Sequence, residues 1–434
     1  MTVPHDQPLQ LIREGPTELL VPQGERALGP GRTREGVFFN PAMALGRDLS
    51  VLYLAAVVQP GMKVLDALTG LGARAVRWRW EVPGDYQVTA NDWSPPAVAL
   101  ARANISRRPA SGGRALDTGC APADGAGPAA TVSPAIRLLE RPLGALLAEE
   151  RFAFIDLDAP GSPVPFLDAA CQSMAEGGHL LVTATDTMIL AGTQPRVCRR
   201  RYGAWPMPGE LGHEVAVRVL VGAVVRTAAR YTLAASPTLC YAHGHWYGAY
   251  VRLTKDEAGA DAALDALGYA VRCGRCWDRR VIRGERGGSD GGAEDGGDDG
   301  GDDGSAEGGG GWTTRCRRCG ASARLAGPLW TGSLWDTGLL RRMVADERPL
   351  ATQQEVRGAL QGWLEEADAP PLYYDLHAAA GHLARLGRGG KLPRLDTVQE
   401  RLVKGGFRSV RTHFARVGLK TDAPAPVFLD LVGE

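Results

Sequence analysis

At 434 residues with 44% hydrophobic side chains, the chain exceeds the size of one ordinary domain core, and we expect two domains. No apolar run approaches the ~18 residues of a membrane-spanning helix, which argues against a membrane protein. The first residues lack a basic segment followed by an apolar one, so we expect no signal peptide and a cytoplasmic location.

The equal totals of 49 basic and 49 acidic residues hide an uneven distribution. Residues 289–311 contain eight acidic residues and no basic one, and removing those eight from the 49 leaves 41 acidic against 49 basic residues. Residues 385–420 carry ten basic residues, with only Asp396 and Glu400 against them. This excess favours a polyanionic partner such as RNA or DNA, because phosphate contacts release counterions. A solvated basic surface is the alternative.

Short apolar strands alternate with helical segments between residues 51 and 255. Strands separated by helices pair in parallel with right-handed crossovers, so the pattern predicts an α/β fold. The predicted elements are, in chain order, a strand at 62–65, a helix at 75–78, a strand at 88–92, a helix at 95–104, a strand at 152–157, a helix at 166–174, a strand at 179–184, a helix continuing into a strand at 214–235, and a strand at 247–253.

The remaining segments divide the chain. Residues 106–134 are rich in Gly, Ala, Pro and Ser and are predicted to form a loop. Residues 285–311 are predicted to form a disordered acidic insertion rich in glycine, because almost no apolar side chains offset the entropy of ordering. We place an N-terminal arm and the first domain at 1–257 and the second domain at 258–434, where the pattern after residue 320 is mostly helical.

A loop with two glycines follows the first of these strands, and an acidic residue ends the next. Gly70 and Gly72 allow the backbone at this strand-to-helix turn to approach a ligand closely. Asp66 begins the loop, and Asp92 is placed to accept hydrogen bonds from a ribose diol. The pairing indicates an adenosine-type cofactor and leads to the hypothesis of methyl transfer.

Four of the eight cysteines form two Cys-x-x-Cys pairs, Cys273 with Cys276 and Cys316 with Cys319. Two such pairs supply four thiolates for one tetrahedral zinc ion, and the long segment between them can loop out at small entropic cost. Disulfides and unlinked thiols are the alternatives, although a cytosolic location disfavours disulfides. The other cysteines have no partner spacing and are expected to be ordinary buried thiols; they are Cys120, Cys171, Cys198 and Cys240.

The strand at 152–157 is followed by an acid and then by Ala159, Pro160 and Gly161. An acid at the carboxyl end of a parallel strand faces the ligand crevice of such a fold. Asp158 could therefore accept a hydrogen bond from an exocyclic amine and take up its proton as a methyl group arrives. The alternative is a simple turn after a core strand.

An ordered series of segments resembles the archaeal and eukaryotic tRNA guanosine-26 N2,N2-dimethyltransferases. Each segment is short, but together they run nearly from end to end of the chain. They are residues 37–41, 47–50, 66–74, 90–92, 156–163, 183–187, the four paired cysteines, 327–332, 373–375, 412–414 and 420–423.

The resemblance implies a Rossmann-like methyltransferase domain that uses S-adenosylmethionine, followed by a smaller α+β C-terminal domain with a structural zinc site that helps hold tRNA. It implies that Arg47, Arg74 and Asp92 contact the cofactor, together with the glycine loop, and that Asp158 engages the guanine N2 amine. We expect a monomer without membrane contact. The basic run at 385–420, with His413 and Phe414 in its middle, is expected to face the RNA.

The chain departs from the family pattern at three places. Ala159 and Pro160 follow Asp158 where the family usually has Pro and Phe, so an aromatic residue that could stack on a flipped base is missing. Glu140 stands roughly where the family has a second acidic cofactor motif, and Gly248 replaces an arginine. Two alternatives therefore stay open, a catalytically weakened tRNA-binding relative and an exocyclic-amine methyltransferase that acts on another RNA or on DNA.

Overall fold

A computed structural model describes residues 8–23, 37–107, 136–284 and 312–433. The chain divides into two compact units, each built from three segments. The first unit comprises Met1–Asp158, Gln172–Leu181 and Arg341–Gly358, and the second comprises Ala159–Cys171, Val182–Leu340 and Ala359–Glu434. The domain boundary at residue 257 stays a prediction. The predicted insertion at 285–311 and nearly all of the predicted loop at 106–134 lie outside the described residues.

A short 3-10 turn at Pro41–Met43 precedes the first α-helix. The helices and strands are, in chain order, β1 (Leu9–Glu14), β2 (Thr17–Pro22), α1 (Ala44–Val57), β3 (Met62–Asp66), α2 (Ala73–Glu81), β4 (Tyr86–Asp92), α3 (Pro95–Ile105), β5 (Arg137–Glu140), α4 (Leu143–Glu149), β6 (Phe152–Asp158), α5 (Val164–Ser173), β7 (Met174–Ala184), α6 (Thr187–Leu190), α7 (Pro195–Tyr202), α8 (Gly212–Ala229), β8 (Leu233–His243), β9 (Trp246–Lys255), α9 (Glu257–Asp265), β10 (Leu267–Cys273), β11 (Arg279–Arg283), β12 (Trp312–Arg315), β13 (Ser322–Trp330), α10 (Thr337–Ala345), α11 (Gln353–Glu366), β14 (Tyr374–Asp375), α12 (Leu376–Arg385), α13 (Leu395–Lys404), β15 (Ser409–Arg411), β16 (Gly418–Thr421) and α14 (Ala425–Gly433).

The first unit contains the predicted parallel sheet, with the strand order β5-β4-β3-β6-β7. Val64 of β3 lies opposite Val88 on one side and Phe154 on the other, and these three side chains are buried. Helices connect the parallel strands because such strands need a crossover. The α/β class is therefore confirmed. Several boundaries differ from the prediction; for example, β7 begins at Met174 instead of residue 179, and β8 continues to His243 instead of ending at residue 235.

The second unit combines the buried helix α8 and the antiparallel pair β8–β9 with two small sheets. One sheet has the order β11-β10-β13-β12, and the other has the order β14-β16-β15. The expectation of mostly helical structure after residue 320 is confirmed by helices α10–α14, with β13 and the short strands β14–β16 as exceptions. The strands of the second small sheet are only two to four residues long, too short to show an alternating pattern. Their pairing joins residues as distant as Tyr374 and Leu419.

Candidate active site

The loop between β3 and α2 is fixed by hydrogen bonds among its own residues. Gly70 and Gly72 have φ angles of 55° and 86°, in the left-handed region that glycine adopts without strain. The Asp66 carboxylate accepts hydrogen bonds from Thr69 Oγ1 at 2.5 Å and from Ala75 N at 3.2 Å. Burial raises the pKa of Asp66 to about 7. Asp66 therefore anchors the loop backbone.

Asp92 links the glycine loop to the end of β4. Its Oδ2 accepts a hydrogen bond from Gly70 N at 2.9 Å, and its Oδ1 accepts one from Ser94 N at 2.9 Å. Burial raises the pKa of Asp92. A Cβ atom added to Gly70 would meet no heavy atom within 4 Å, so the loop backbone faces open space beside this carboxylate. The arrangement leaves room for a ligand that carries hydroxyl groups.

Arg74 in α2 lies between two carboxylates of β6. Its Nη1 is 2.7 Å from Asp158 Oδ2, and its Nε is 3.2 Å from Asp156 Oδ2. Asp156 is buried and accepts a hydrogen bond from Ser50 Oγ at 2.7 Å, while Trp78 Nε1 donates to Ser50 Oγ at 3.1 Å. Burial raises the pKa of Asp156. Asp158, with 19% of its side chain exposed, is the most accessible member of this network.

Arg47 in α1 is buried and forms an ion pair with Glu14, and no sequence motif predicts this pair. Its Nε and Nη2 donate to Glu14 Oε2 and Oε1 at 2.8 and 2.5 Å, and its Nη1 and Nη2 lie 3.3 Å from Asn40 O. These contacts use four of the five N–H groups of the guanidinium and leave one on Nη1. Glu14 lies on β1, 33 residues earlier in the chain, so only the folded structure brings the two together.

A second polar cluster follows β7 in the second unit. Thr185 Oγ1 accepts a hydrogen bond from Gly161 N at 2.7 Å, and Thr185 N donates to Gly161 O at 2.9 Å. Asp186 accepts hydrogen bonds from Tyr202 Oη at 2.6 Å and from Arg201 Nη1 at 2.7 Å. Thr185 and Asp186 belong to a segment that carries the family resemblance, but the sequence alone gives their side chains no role.

The four paired cysteines lie together in the second unit. Cys273 and Cys276 occupy the turn between β10 and β11, and Cys316 and Cys319 occupy the turn between β12 and β13. The Sγ atoms of Cys273 and Cys319 are 3.6 Å apart, those of Cys276 and Cys316 are 3.5 Å apart, and all four lie within 4.8 Å of one another. A tetrahedral site with zinc–sulfur bonds of ~2.3 Å separates its sulfurs by about 3.8 Å. The predicted ligand set therefore forms one cluster compatible with zinc.

The two cysteine turns have the same backbone geometry. Trp277 N donates to Cys273 O at 3.2 Å, and Gly320 N donates to Cys316 O at 2.9 Å. Both donors have positive φ angles, 61° for Trp277 and 70° for Gly320. Glycine tolerates this conformation, whereas a tryptophan does so at a cost. Stacking of the Trp277 ring on Tyr374, with an interplanar angle of 9°, offsets that cost.

Nine of the ten basic residues at 385–420 are exposed, as expected for a surface that contacts phosphates: Arg385, Arg388, Lys391, Arg394, Arg401, Lys404, Arg408, Arg411 and Arg416. The expectation is wrong for Lys420, which is 1% exposed and lies 3.0 Å from Glu214 Oε1 and 3.2 Å from Glu366 Oε1. His413 Nδ1 lies 2.7 Å from Glu366 Oε2, and Phe414 is 4% exposed. These three residues therefore stabilise the interior of the second unit.

The parallel sheet, the glycine loop after β3 and the acid that ends β4 define a Rossmann-like α/β protein with a nucleotide-type cofactor site. Residues 20–432 match the family described as N2,N2-dimethylguanosine tRNA methyltransferase. The chain therefore belongs to this family of tRNA methyltransferases. Among the described residues, no helix combines the length and the apolar character needed to cross a membrane.

Close relatives match almost the whole chain. The tRNA (guanine(26)-N(2))-dimethyltransferase of Methanothermobacter thermautotrophicus is 31% identical over 417 residues, which cover 95% of this chain and 95% of the relative. The enzyme of the same name from Thermococcus kodakarensis is 33% identical over 437 residues, covering 98% and 99%. The structure of Trm1 from Pyrococcus horikoshii in complex with S-adenosyl-L-methionine matches with a TM-score of 0.75 and 31% identity, covering 98% of this chain and all of that one.

Proposed function

We propose that the chain transfers methyl groups from S-adenosylmethionine to the exocyclic N2 amine of guanosine 26 in tRNA. The observation that carries this proposal is the ion pair of Arg74 with Asp158, which joins the helix after the glycine loop to the acid at the end of β6. Membership of the family supports the reaction and the substrate class. The cofactor in the structure of the Pyrococcus horikoshii relative supports the methyl donor.

We assign the cofactor site to the glycine loop and the charged groups around it. Asp92 would accept hydrogen bonds from the ribose, and the open backbone at Gly70 would lie against the cofactor. Arg47 would contribute its remaining Nη1 donor, near the carboxylate end or the base of the cofactor. The assigned set is Arg47, Asp66, Gly70, Gly72, Arg74 and Asp92, in which Asp66 and Gly72 act by fixing the shape of the loop.

Asp158 is the proposed catalytic residue. When bound, the cofactor supplies an electrophilic methyl group on its sulfonium. The guanine N2 amine is a weak nucleophile because its lone pair is delocalised into the ring. Asp158 would accept a hydrogen bond from this amine and take up its proton as the new bond forms. Arg74 fixes the orientation of the carboxylate through the 2.7 Å ion pair.

The second domain, at 258–434, is proposed to hold the tRNA. The nine exposed basic residues at 385–420 supply phosphate contacts, which carry affinity without sequence information. The four cysteines would hold a zinc ion whose role is structural, because four thiolates leave no open coordination position for substrate. We propose a monomer in the cytoplasm, where tRNA is available as substrate.

Asp158 is the residue with which to test this function. Asp158→Ala and Asp158→Asn should lower kcat about 10²- to 10⁴-fold, because the amine loses its proton acceptor. Binding of S-adenosylmethionine, measured by calorimetry, should stay near the wild-type value, since Arg74 keeps Asp156 as a partner. Asp168→Ala, which removes an exposed carboxylate of α5, is the matched control and should be fully active.

Mass spectrometry of the tRNA nucleosides, mapped by position, distinguishes the alternatives. Methylation of the wild-type transcript and none of a transcript with adenosine at position 26 supports the proposed substrate. Binding of tRNA without methylation would identify a weakened relative, for which Pro160, in the place of the family's aromatic residue, gives the structural reason. Full activity of Asp158→Ala would remove Asp158 from the mechanism.

A further inference from the structure

Helix α7 carries four arginines and no acidic residue in the eight residues Pro195–Tyr202. Its inward positions are Cys198 and Tyr202, which are buried and four residues apart, as one face of a helix requires. Arg196, Arg199 and Arg200 are exposed. The helix therefore presents a concentrated positive surface, and nothing in the cofactor site or the C-terminal basic run accounts for it.

Helix stability explains only part of this charge. Arginines in the last turn interact favourably with the negative end of the helix dipole, which accounts for Arg199 and Arg200. Arg196 lies in the first turn, at the positive end of the dipole, where a cation is unfavourable. Within the described part of the chain, neither Arg196 nor Arg200 forms an ion pair that would compensate. Both side chains are exposed, so they are hydrated in the free protein and accessible to an anionic partner.

Hydrogen bonds attach α7 to the segment that follows β6 in the chain. Asp186 holds the last turn of α7 through Arg201 and Tyr202, and the neighbouring Thr185 is paired with Gly161. Gly161 follows the proposed catalytic acid by only three residues of chain. Helix α7 is therefore tied to the segment that directly follows the proposed catalytic acid in the chain, whereas the basic run at 385–420 belongs to a separate part of the chain.

Arg199 adds a fixed contact point to this surface. Its guanidinium carbon lies 5.2 Å from the centre of the Trp205 ring, a cation–π contact that restrains the side chain. A restrained guanidinium loses less conformational entropy when it binds a phosphate, and its planar geometry suits two parallel hydrogen bonds to phosphate oxygens. Arg196 and Arg200 flank it on the exposed side of the helix.

We propose that α7 contacts the phosphate backbone of tRNA next to the target guanosine and positions that nucleotide for methylation. The proposal rests on the proposed function, since it specifies where that substrate is held. The occupant is a polyanionic RNA backbone, because the surface offers only cations and no apolar face. Contacts this close to the reacting nucleotide affect its position in the bound complex as well as its affinity.

The test compares three sets of charge-neutralising substitutions in the full-length protein. The first set is Arg196→Gln, Arg199→Gln and Arg200→Gln on α7. The second set, in the C-terminal basic run, is Lys404→Gln, Arg408→Gln and Arg411→Gln. The control set removes three exposed bases from separate elements, Lys63→Gln, Arg102→Gln and Arg252→Gln. Binding to a tRNA transcript as a function of salt, and kcat and KM for methylation, are measured for each.

The α7 set should reduce the slope of log affinity against log salt by about 0.7–0.9 per contact, or about two to three in total. The same relation predicts a roughly 50- to 150-fold weaker affinity at 0.15 M salt if all three contacts are lost. We expect the α7 set to raise KM and lower kcat, the C-terminal set to act mainly on KM, and the control set to change neither.

This inference would be overturned if the α7 set kept the wild-type affinity, salt slope and kcat. The proposed function would then remain intact. Failure of the wild-type protein to bind or methylate tRNA would instead overturn the proposed function. The single substitution Arg196→Gln removes no contact within the described part of the chain and should leave the thermal unfolding temperature unchanged. It therefore tests the surface even if the triple variant is unstable. Arg196→Lys keeps the positive charge and should restore tRNA binding.

Discussion

Two buried charge networks, one in each unit, differ in their balance of charges. The network around β6 sets three acids, Asp66, Asp156 and Asp158, against the single cation Arg74. Burial is the largest influence there and raises the pKa of Asp66 to about 7 and that of Asp156 as well, although Arg74 opposes the shift. Acids with raised pKa values near a reacting group can exchange protons near neutral pH.

The network of the second unit contains two acids and three bases. The acids are Glu214 and Glu366, and the bases are Arg218, His413 and Lys420. Burial alone would raise the pKa of Glu214, but Lys420 and Arg218 lower it overall. His413 and Lys420 likewise outweigh the burial of Glu366 and lower its pKa to about 2. These acids stay ionised across physiological pH. The network at the proposed catalytic site therefore has fewer cations than acids, whereas the network that stabilises the interior of the second unit has enough cations to keep its acids ionised.

Removal of the zinc ion should have the largest effect on stability. The four thiols lie within 4.8 Å of one another, as the ligands of one zinc ion would, and structural zinc sites contribute ~10–16 kcal/mol of apparent binding free energy. Cys316→Ser should lose the metal and lower the thermal unfolding temperature of the second unit. Metal content by plasma mass spectrometry should be about one zinc per chain in the wild type.

Two controls accompany the zinc prediction. Cys171→Ala, which removes a buried thiol of α5 outside the cluster, should keep the metal. Deletion of residues 289–311 should also leave the zinc content unchanged, because that tract only connects the two cysteine turns. A metal-free protein with wild-type stability would show that the cluster does not depend on zinc.

Lys420→Met breaks the second network. It leaves Glu214 and Glu366 buried with one cation fewer, and breaking a buried ion pair by removing one partner typically costs about 3–5 kcal/mol. Urea unfolding should show this loss in the free energy of unfolding. Lys404→Met, at an exposed position of α13, should change it by no more than about 0.5 kcal/mol. A loss in Lys420→Met as small as that would mean that the network contributes nothing to stability.

Asp156→Asn tests the first network through activity. Asp156 contacts Arg74 and Ser50, and we propose that it positions the Arg74 side chain. Loss of its charge should loosen Arg74 and lower kcat roughly tenfold, equivalent to about 1.4 kcal/mol. Ser50→Ala removes one hydrogen bond from Asp156 and should have a smaller effect. If Asp156→Asn leaves kcat and the affinity for the cofactor unchanged, Asp156 contributes only to the structure of the sheet.

The pH dependence of stability should have opposite signs in the two networks. Burial raises the pKa of Asp66 from its ordinary value of 3.8 to about 7 in the folded protein, so its contribution to stability is lost as pH rises from 3.8 through 7. Glu366 has a folded pKa of about 2 against 4.5, so its contribution is present above 4.5 and lost as pH falls towards 2. Denaturant titrations of Asp66→Asn should flatten the first slope, and those of Glu366→Gln the second. A wild-type slope in either variant would contradict the assignment for that acid.

The sequence predicts those parts of the site whose signal is local. Gly70 and Gly72 lie between a strand pattern and a helix pattern, and the positive φ angles at both are ones that glycine adopts without strain. The two cysteine pairs are equally predictable from the sequence, because the spacing within each pair places both thiols on one turn. The α/β pattern likewise repeats within short windows of chain.

The parts that the sequence did not predict depend on distant partners. Arg47 pairs with Glu14 across 33 residues, and no spacing rule connects the two. In the sequence, Lys420 is the last base of a basic run. A count of charges along the chain cannot distinguish a buried position from an exposed one. Its burial depends on Glu214, 206 residues earlier.

The connection between the two cysteine turns joins the outermost strands of its sheet. β11 and β12 lie at opposite edges of the order β11-β10-β13-β12, three strand spacings or about 14 Å apart. About five extended residues would span that distance, whereas 28 residues lie between Arg283 and Trp312. The fold thus sets only a minimum length here, and a reporter domain with termini about 14 Å apart could replace the natural segment without separating the cysteine turns.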